Sequence, residues 1–205
     1  MLSRGCLEQS GAFMSSAINV YALPLGTLQQ AVGSGDSSLL DAIMEEQAEF
    51  LESIDAIDED AEATCADALA ELVHGEVSED VPGYLYGYAL QALCAHLGET
   101  LPNICPIAGA SEWIAKVDGV LEGMGIPLRL SMLVQGGSPV AIPEPEDYPF
   151  IGMWQAEGIA AALAGFRGLA MGSLESEMAE TLGQLRGWVE AAAGTRGSSL
   201  IGFLC

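Results

Sequence analysis

Apolar side chains recur at helical spacing through most of this chain, and runs of strand-forming residues are few. From Ser38 to about Ser53, Leu40, Ile43, Met44, Leu51 and Ile54 form one stripe, with Gln47 as its polar exception. Asp41, Glu45, Glu49 and Glu52 occupy the opposite face. This pattern predicts an amphipathic surface helix. A second helix, about Glu62–His74, carries Cys65, Leu69, Leu72 and Val73 on one side and stops at Gly75. A third, roughly 82–97, starts at Pro82, carries Leu85, Tyr88, Ala92 and Leu93, and ends at Gly98. Ser111 caps a fourth, with Ile114, Val117, Leu121 and Met124 in one stripe. Two more follow at about 155–166 and 174–193. The last aligns Leu174, Met178, Leu182, Leu185, Trp188, Val189 and Ala192, and Gly194 closes it. Its acids Glu175, Glu177 and Glu180 lie near the positive end of the helix, where they are favourable.

Strand signals are sparser. Ile18 and NVYAL (19–23) read as a short strand cut off by Pro24, with one or two helical turns after it at Leu25–Val32. GSGDSS (33–38) is a turn that ends in a helix cap. IPLRLSMLV (126–134) alternates Leu128, Leu130, Met132 and Val134 with Arg129, Ser131 and Leu133, a strand pattern. The closing SSLIGFLC is a third strand. ETLPNICPIAGA reads as loop, and PVAIPEPEDYP as an extended, proline-stiffened segment. The expected fold is α+β: a mostly helical single domain over 14–205. Its small sheet unites the N-terminal, middle (126–134) and C-terminal strands under a cover of helices. Either translation is expected to start at Met14 or residues 1–13 are expected to be a disordered extension, the alternative being an ordinary ordered N-terminus.

Half of the 205 residues are hydrophobic, and the mean hydropathy is +0.34, ample for a packed core. A membrane span would have to lie at Phe150–Phe166. Glu157 falls inside that stretch and Arg167 ends it, so a buried soluble helix is expected there. MLSRGCLEQSGAF has no apolar run of signal-peptide length. The five cysteines are odd in number, irregularly spaced and without a CxxC pair. They are expected to be free thiols in a reducing cytoplasm. The terminal GFLC is no prenylation box, which needs its cysteine four from the end.

Charge changes the picture most. There are 29 Asp and Glu against 6 Lys and Arg, for a formal net charge of −23. No Lys or Arg occurs between Gly5 and Ala115, while 16 acids fall between Asp36 and Asp80. Such a surface repels polyanions and attracts basic proteins or cations. Nucleic acid is excluded as a partner, because phosphates need Lys and Arg to release counterions.

Two acidic segments are the expected partner-binding surface. The first holds Asp55, Asp58, Glu59, Asp60 and Glu62; the second is an acidic-aromatic loop of Glu144, Glu146, Asp147 and Tyr148. The bland alternative for both is a solvated face. No metal site is expected. DAIDEDAEATCA lacks the glycine and spacing of a calcium loop. Cys94 and His96 are two apart on a helix and point away from each other. They read as a buried thiol and a cation at a helix C-terminus. No catalytic residue is nominated, since no G-x-S-x-G occurs and spatial triads leave no mark in one sequence. No cofactor is expected either. Gly33-Ser34-Gly35 precedes a helix, but Asp36 and Asp41 argue against an anion there.

INVYALPLGTLQQAVGSGDSSLLDAI (18–43), YGYALQALCAHLGETLPN (86–103), DYPFIGMW (147–154) and the closing helix plus LIGFLC resemble a family of small bacterial proteins of unknown function. More distantly, the opening strand and the helix-then-strand ending are similar to the YfbM-like family. The resemblance implies an α+β cytosolic domain and brings no catalytic residues.

The function expected is therefore non-enzymatic binding of a basic protein, in the manner of an immunity or inhibitor protein. One alternative is an enzyme or small-ligand binder with a pocket near 126–154. Another is a structural or self-associating subunit, a homodimer included, built on Ala/Gly-rich helices. No membrane role is expected.

Overall fold

The computed structural model describes residues 17–58, 61–103, 110–168, 174–195 and 197–205. At its centre lies one antiparallel sheet of β1 (Ile18–Pro24), β2 (Glu99–Leu101), β3 (Phe150–Trp154) and β4 (Ser198–Leu204), in the order β2-β1-β4-β3. β1 and β4 pair along their whole length, from Ile18 opposite Leu204 to Pro24 opposite Ser198. Both are interior strands covered on both faces, which is why they read as nearly unbroken apolar runs. Strand side chains alternate in direction. Ile18, Val20, Leu200 and Leu204 therefore enter one core, and Tyr21, Leu23, Ile201 and Phe203 the other.

The two halves of the chain each cover one face. α1 (Leu25–Ala31), α2 (Ser37–Glu46), α3 (Ala48–Asp55), α4 (Cys65–His74) and α5 (Gly83–Leu97) form the N-terminal layer. α6 (Ala110–Gly123), α7 (Leu130–Gln135), α8 (Ala156–Arg167) and α9 (Ser176–Gly194) form the C-terminal layer. α5 lies between the sheet and the rest of its layer, and every residue from Leu85 to Cys94 is buried. A helix enclosed on all sides has no polar stripe to show.

Local chemistry sets the helix ends. Thr64 and Asp67 form a reciprocal capping box at the start of α4, and Gly75 ends that helix with φ 75°. Asp36 accepts from the N–H groups of Ser38 and Leu39 and caps α2. The single helix expected at 38–53 is instead α2 and α3, broken at Gln47. That residue was the polar exception in the stripe; it is buried, with φ −105° and ψ 14°.

The middle strand expected at 126–134 does not form. Residues 130–135 are helix α7, and the strand of the middle region is β3 at 150–154. Leu130, Leu133 and Val134 are buried while Met132 is 50% exposed, a helical spacing that the alternating leucines obscured. Distant glycines decide the matter. Gly152 and Gly202 face each other across β3 and β4, and α7 lies against them backbone-first. A Cβ on Gly152 would sit 2.2 Å from the Met132 carbonyl oxygen, and one on Gly202 2.5 Å from that of Leu133. Asp118 of α6 fixes the other end of α7, accepting from the N–H of Leu130 and the N–H and hydroxyl of Ser131.

One further expectation changes: the loop expected from Glu99 begins with edge strand β2. The helix expected at about 155–166 forms as α8, and the residues ahead of it in the Phe150–Phe166 stretch are β3, with the extended residue Gln155 between the two. Among the described residues no helix is long and apolar enough to cross a membrane. The expected extension, 1–13, lies outside the described residues.

Candidate functional site

The two acidic segments nominated from the sequence flank one place, the start of α5. Asp55 is the last residue of α3, and its Oδ1 accepts the Cys65 N–H at 2.7 Å. One of its oxygens is thus occupied in fixing the start of α4. Asp58 and Glu62 are exposed, while Glu59 and Asp60 lie outside the described residues. Asp58 and Asp55 stand near Tyr84 in the first turn of α5. Burial first, and then these two carboxylates and Cys65, raise the pKa of the Tyr84 hydroxyl. On the other side, Gly83 meets the backbone of Glu144: a Cβ there would lie 2.6 Å from the Glu144 carbonyl oxygen. Glu144, Glu146 and Asp147 are exposed. Tyr148 does not join them. It is half-buried against the C-terminal core and packs edge-on to Phe150 with ring centroids 5.0 Å apart.

The whole N-terminal layer shares this sign of charge. Asp41, Glu45, Glu49 and Glu52 lie exposed along α2 and α3. Among the described residues the layer carries no Lys or Arg, and His96 Nδ1 lies 2.6 Å from a carboxylate oxygen of Glu46. Met44, Ile57 and Val77 are exposed among these acids, Ile57 most of all at 61%. All described Lys and Arg side chains (Lys116, Arg129, Arg167 and Arg186) belong to the C-terminal layer. There Lys116 pairs with Glu175, Arg129 with Glu122 and Arg186 with Glu190.

The buried titratable groups of the N-terminal layer are held in their neutral forms. Burial drives the thiols of Cys65 and Cys94 far above the ordinary cysteine range, with Asp55 adding to the effect at Cys65. Such thiols are inert as nucleophiles. Tyr86 is fully buried, and its hydroxyl donates to Glu71 and accepts the Ser78 N–H at 2.8 Å. Burial first and the Glu71 hydrogen bond second push it up to about 12. The Gly33–Gly35 turn has no N–H to offer an anion at either glycine, because these donate to the carbonyls of Leu72 and Val73. Among the described residues no three His, Cys, Asp or Glu side chains are grouped to hold a metal.

A cleft of about 560 Å³ opens in the C-terminal layer, within the 126–154 region where the sequence allowed a pocket. Its walls come from the 125–129 segment, Met132 of α7, Met153 and Trp154 of β3, and Gln155 and Gly158 at the start of α8. Arg129 and Glu122 stand at its edge, 3.4 Å apart. Arg129 was missed from sequence, where it passed as the polar position of a strand. Its signal was rarity: it is one of 6 Lys and Arg in the chain.

No curated protein and no solved structure matches this chain. One family profile does match, over residues 14–205, and the chain thereby belongs to the family described as a domain of unknown function, DUF7691.

Proposed function

We propose that the protein is a non-enzymatic binding protein of the cytoplasm that docks a basic protein on its N-terminal layer. The observation that carries this reading is the convergence of the two acidic segments on the start of α5, in a layer whose described surface lacks Lys and Arg. Carboxylates with few partners repel one another and destabilise the layer at low salt. A cationic partner relieves that repulsion and is steered to it at high rate. Exposed Ile57, between Asp55 and Asp58, supplies an apolar anchor that a purely solvated face would not need. Duplex DNA, a polyanion, is refused.

The test is affinity capture with the full chain, followed by kinetics on the captured protein over a range of salt. The variant combines Asp58→Asn, Glu62→Gln, Glu144→Gln and Glu146→Gln, and spares Asp55 because that residue caps α4. Association with a basic partner should slow steeply as salt rises, and the variant should lose about tenfold or more in on-rate. A partner bound equally well by the variant, at a salt-independent rate, refutes the proposal.

A further inference from the structure

We infer that the C-terminal cleft is a binding site for a small amphipathic carboxylate, with its acid group on Arg129 and its apolar part over Trp154 and Met132. This rests on the C-terminal layer alone and is independent of the acidic docking surface. The volume, about 560 Å³, falls in the range of small-molecule sites. The wall is rigid where a ligand would press on it. Ile126, Leu128 and Trp154 are buried in the core, and the Trp154 indole N–H donates to the Arg129 carbonyl at 2.7 Å. Asp118 holds the next two N–H groups, those of Leu130 and Ser131. The peptide group that follows Arg129 is therefore held at both its C=O and its N–H, while the Arg129 side chain is 58% exposed. The stem of Arg129 starts from a fixed point, and the planar fork of its guanidinium matches a carboxylate with two hydrogen bonds. Met132, half-exposed and unbranched, can re-pack over an apolar chain.

Arg129 already meets a carboxylate, that of Glu122. The 3.4 Å separation and the exposure of both side chains, 58% and 70%, make that pair weak. An incoming acid can form a better pair, with two hydrogen bonds, at little loss. The start of α8 borders the cleft too, but Glu157 in its first turn offsets the helix dipole, so the preference for an anion rests on Arg129.

The test uses the intact protein at physiological ionic strength, with octanoate, octanol and octylamine as probes. Calorimetry gives the affinities, and the three tryptophan indole N–H resonances report the place. Octanoate is expected to bind about tenfold or more tightly than octylamine, in line with one charge-assisted pair. It should shift the Trp154 signal and leave Trp113 and Trp188 in place. Arg129→Gln should abolish the advantage of octanoate over octanol without changing the affinity for octanol. Octylamine binding as tightly as octanoate would show that Glu122 governs the cleft and overturn the inference. So would octanoate that does not bind, that leaves the Trp154 signal unmoved, or that binds Arg129→Gln unchanged.

Discussion

The two helical layers share one sheet and are alike in how thoroughly they bury their apolar side chains, yet they handle charge in opposite ways. In the C-terminal layer three of the described acids, Glu122, Glu175 and Glu190, have an Arg or Lys within 3.4 Å, and a fourth, Asp118, accepts backbone N–H groups of α7. In the N-terminal layer the carboxylates that are fixed are mostly used for backbone work: Asp36 caps α2, Asp67 completes a capping box, and Asp55 takes the Cys65 N–H. The rest face outward without Lys or Arg among the described residues of that layer. The same contrast holds for depth. The described cleft lies beside α7 and α8, where a short helix resting on glycines leaves an uneven surface. The N-terminal layer, packed around an α5 that is buried from Leu85 to Cys94, offers a charged exterior instead. Stability thus comes from two cores joined through one sheet, whereas the surface chemistry of each layer is its own.

The strongest challenge to that view is to weaken one layer and watch the other. Trp113, Trp154 and Trp188 all pack in the C-terminal core, so tryptophan emission reports that side. Leu72 is fully buried in the N-terminal core. Leu72→Ala should cost about 3 kcal/mol in transfer and cavity terms. In urea, the tryptophan transition should fall together with far-ultraviolet circular dichroism, because β1 and β4 belong to both cores. A tryptophan midpoint that stays put would mean that the layers unfold separately.

A somewhat smaller effect tests the glycine seat of α7. Gly202→Ala places a methyl group 2.5 Å from a carbonyl oxygen and should cost about 2 kcal/mol, as overpacking does. Gly187→Ala, on an open face of α9, should stabilise by up to about 1 kcal/mol. Equal effects in chemical denaturation would remove the seat from the account.

The smallest effect concerns Tyr86. Tyr86→Phe removes its hydrogen bonds to Glu71 and Ser78 and should cost about 1 kcal/mol near neutral pH. The folded protein holds this phenolic proton more tightly than the unfolded chain does, with the pKa raised from 10.0 to about 12. Its contribution is therefore complete below pH 10 and lost as pH rises toward 12. Stability curves across that window should converge for the two proteins. Curves that stay parallel would contradict the assignment.

Much of the helical framework was legible because amphipathic periodicity is a local property. α4, α8 and α9 lie within a few residues of their expected positions, and β1 and β4 form at the expected ends of the chain. α7 was not legible. In a run as short as 128–134, leucines at every second position also satisfy a helix once Leu133 is counted inward. β3 was overlooked because its pattern is interrupted by Gly152, the very residue that admits α7. For the site, the acid segments could be seen in the sequence, but their meeting at α5 could not. Neither could the packing of Tyr148 against the opposite core. Each depends on residues far apart in the chain.

The sequence alone determined the helix-rich composition, the terminal strands, and a first half without Lys or Arg past Gly5. These follow from side-chain periodicity and from charge, both of which are additive along a chain. The tertiary structure decided which face each half of the chain covers, that 130–135 coils rather than extends, and that Arg129 stands over a cleft while Asp55 and Asp118 become caps. Those outcomes turn on steric fit and hydrogen-bond geometry between distant segments, and no local pattern encodes them.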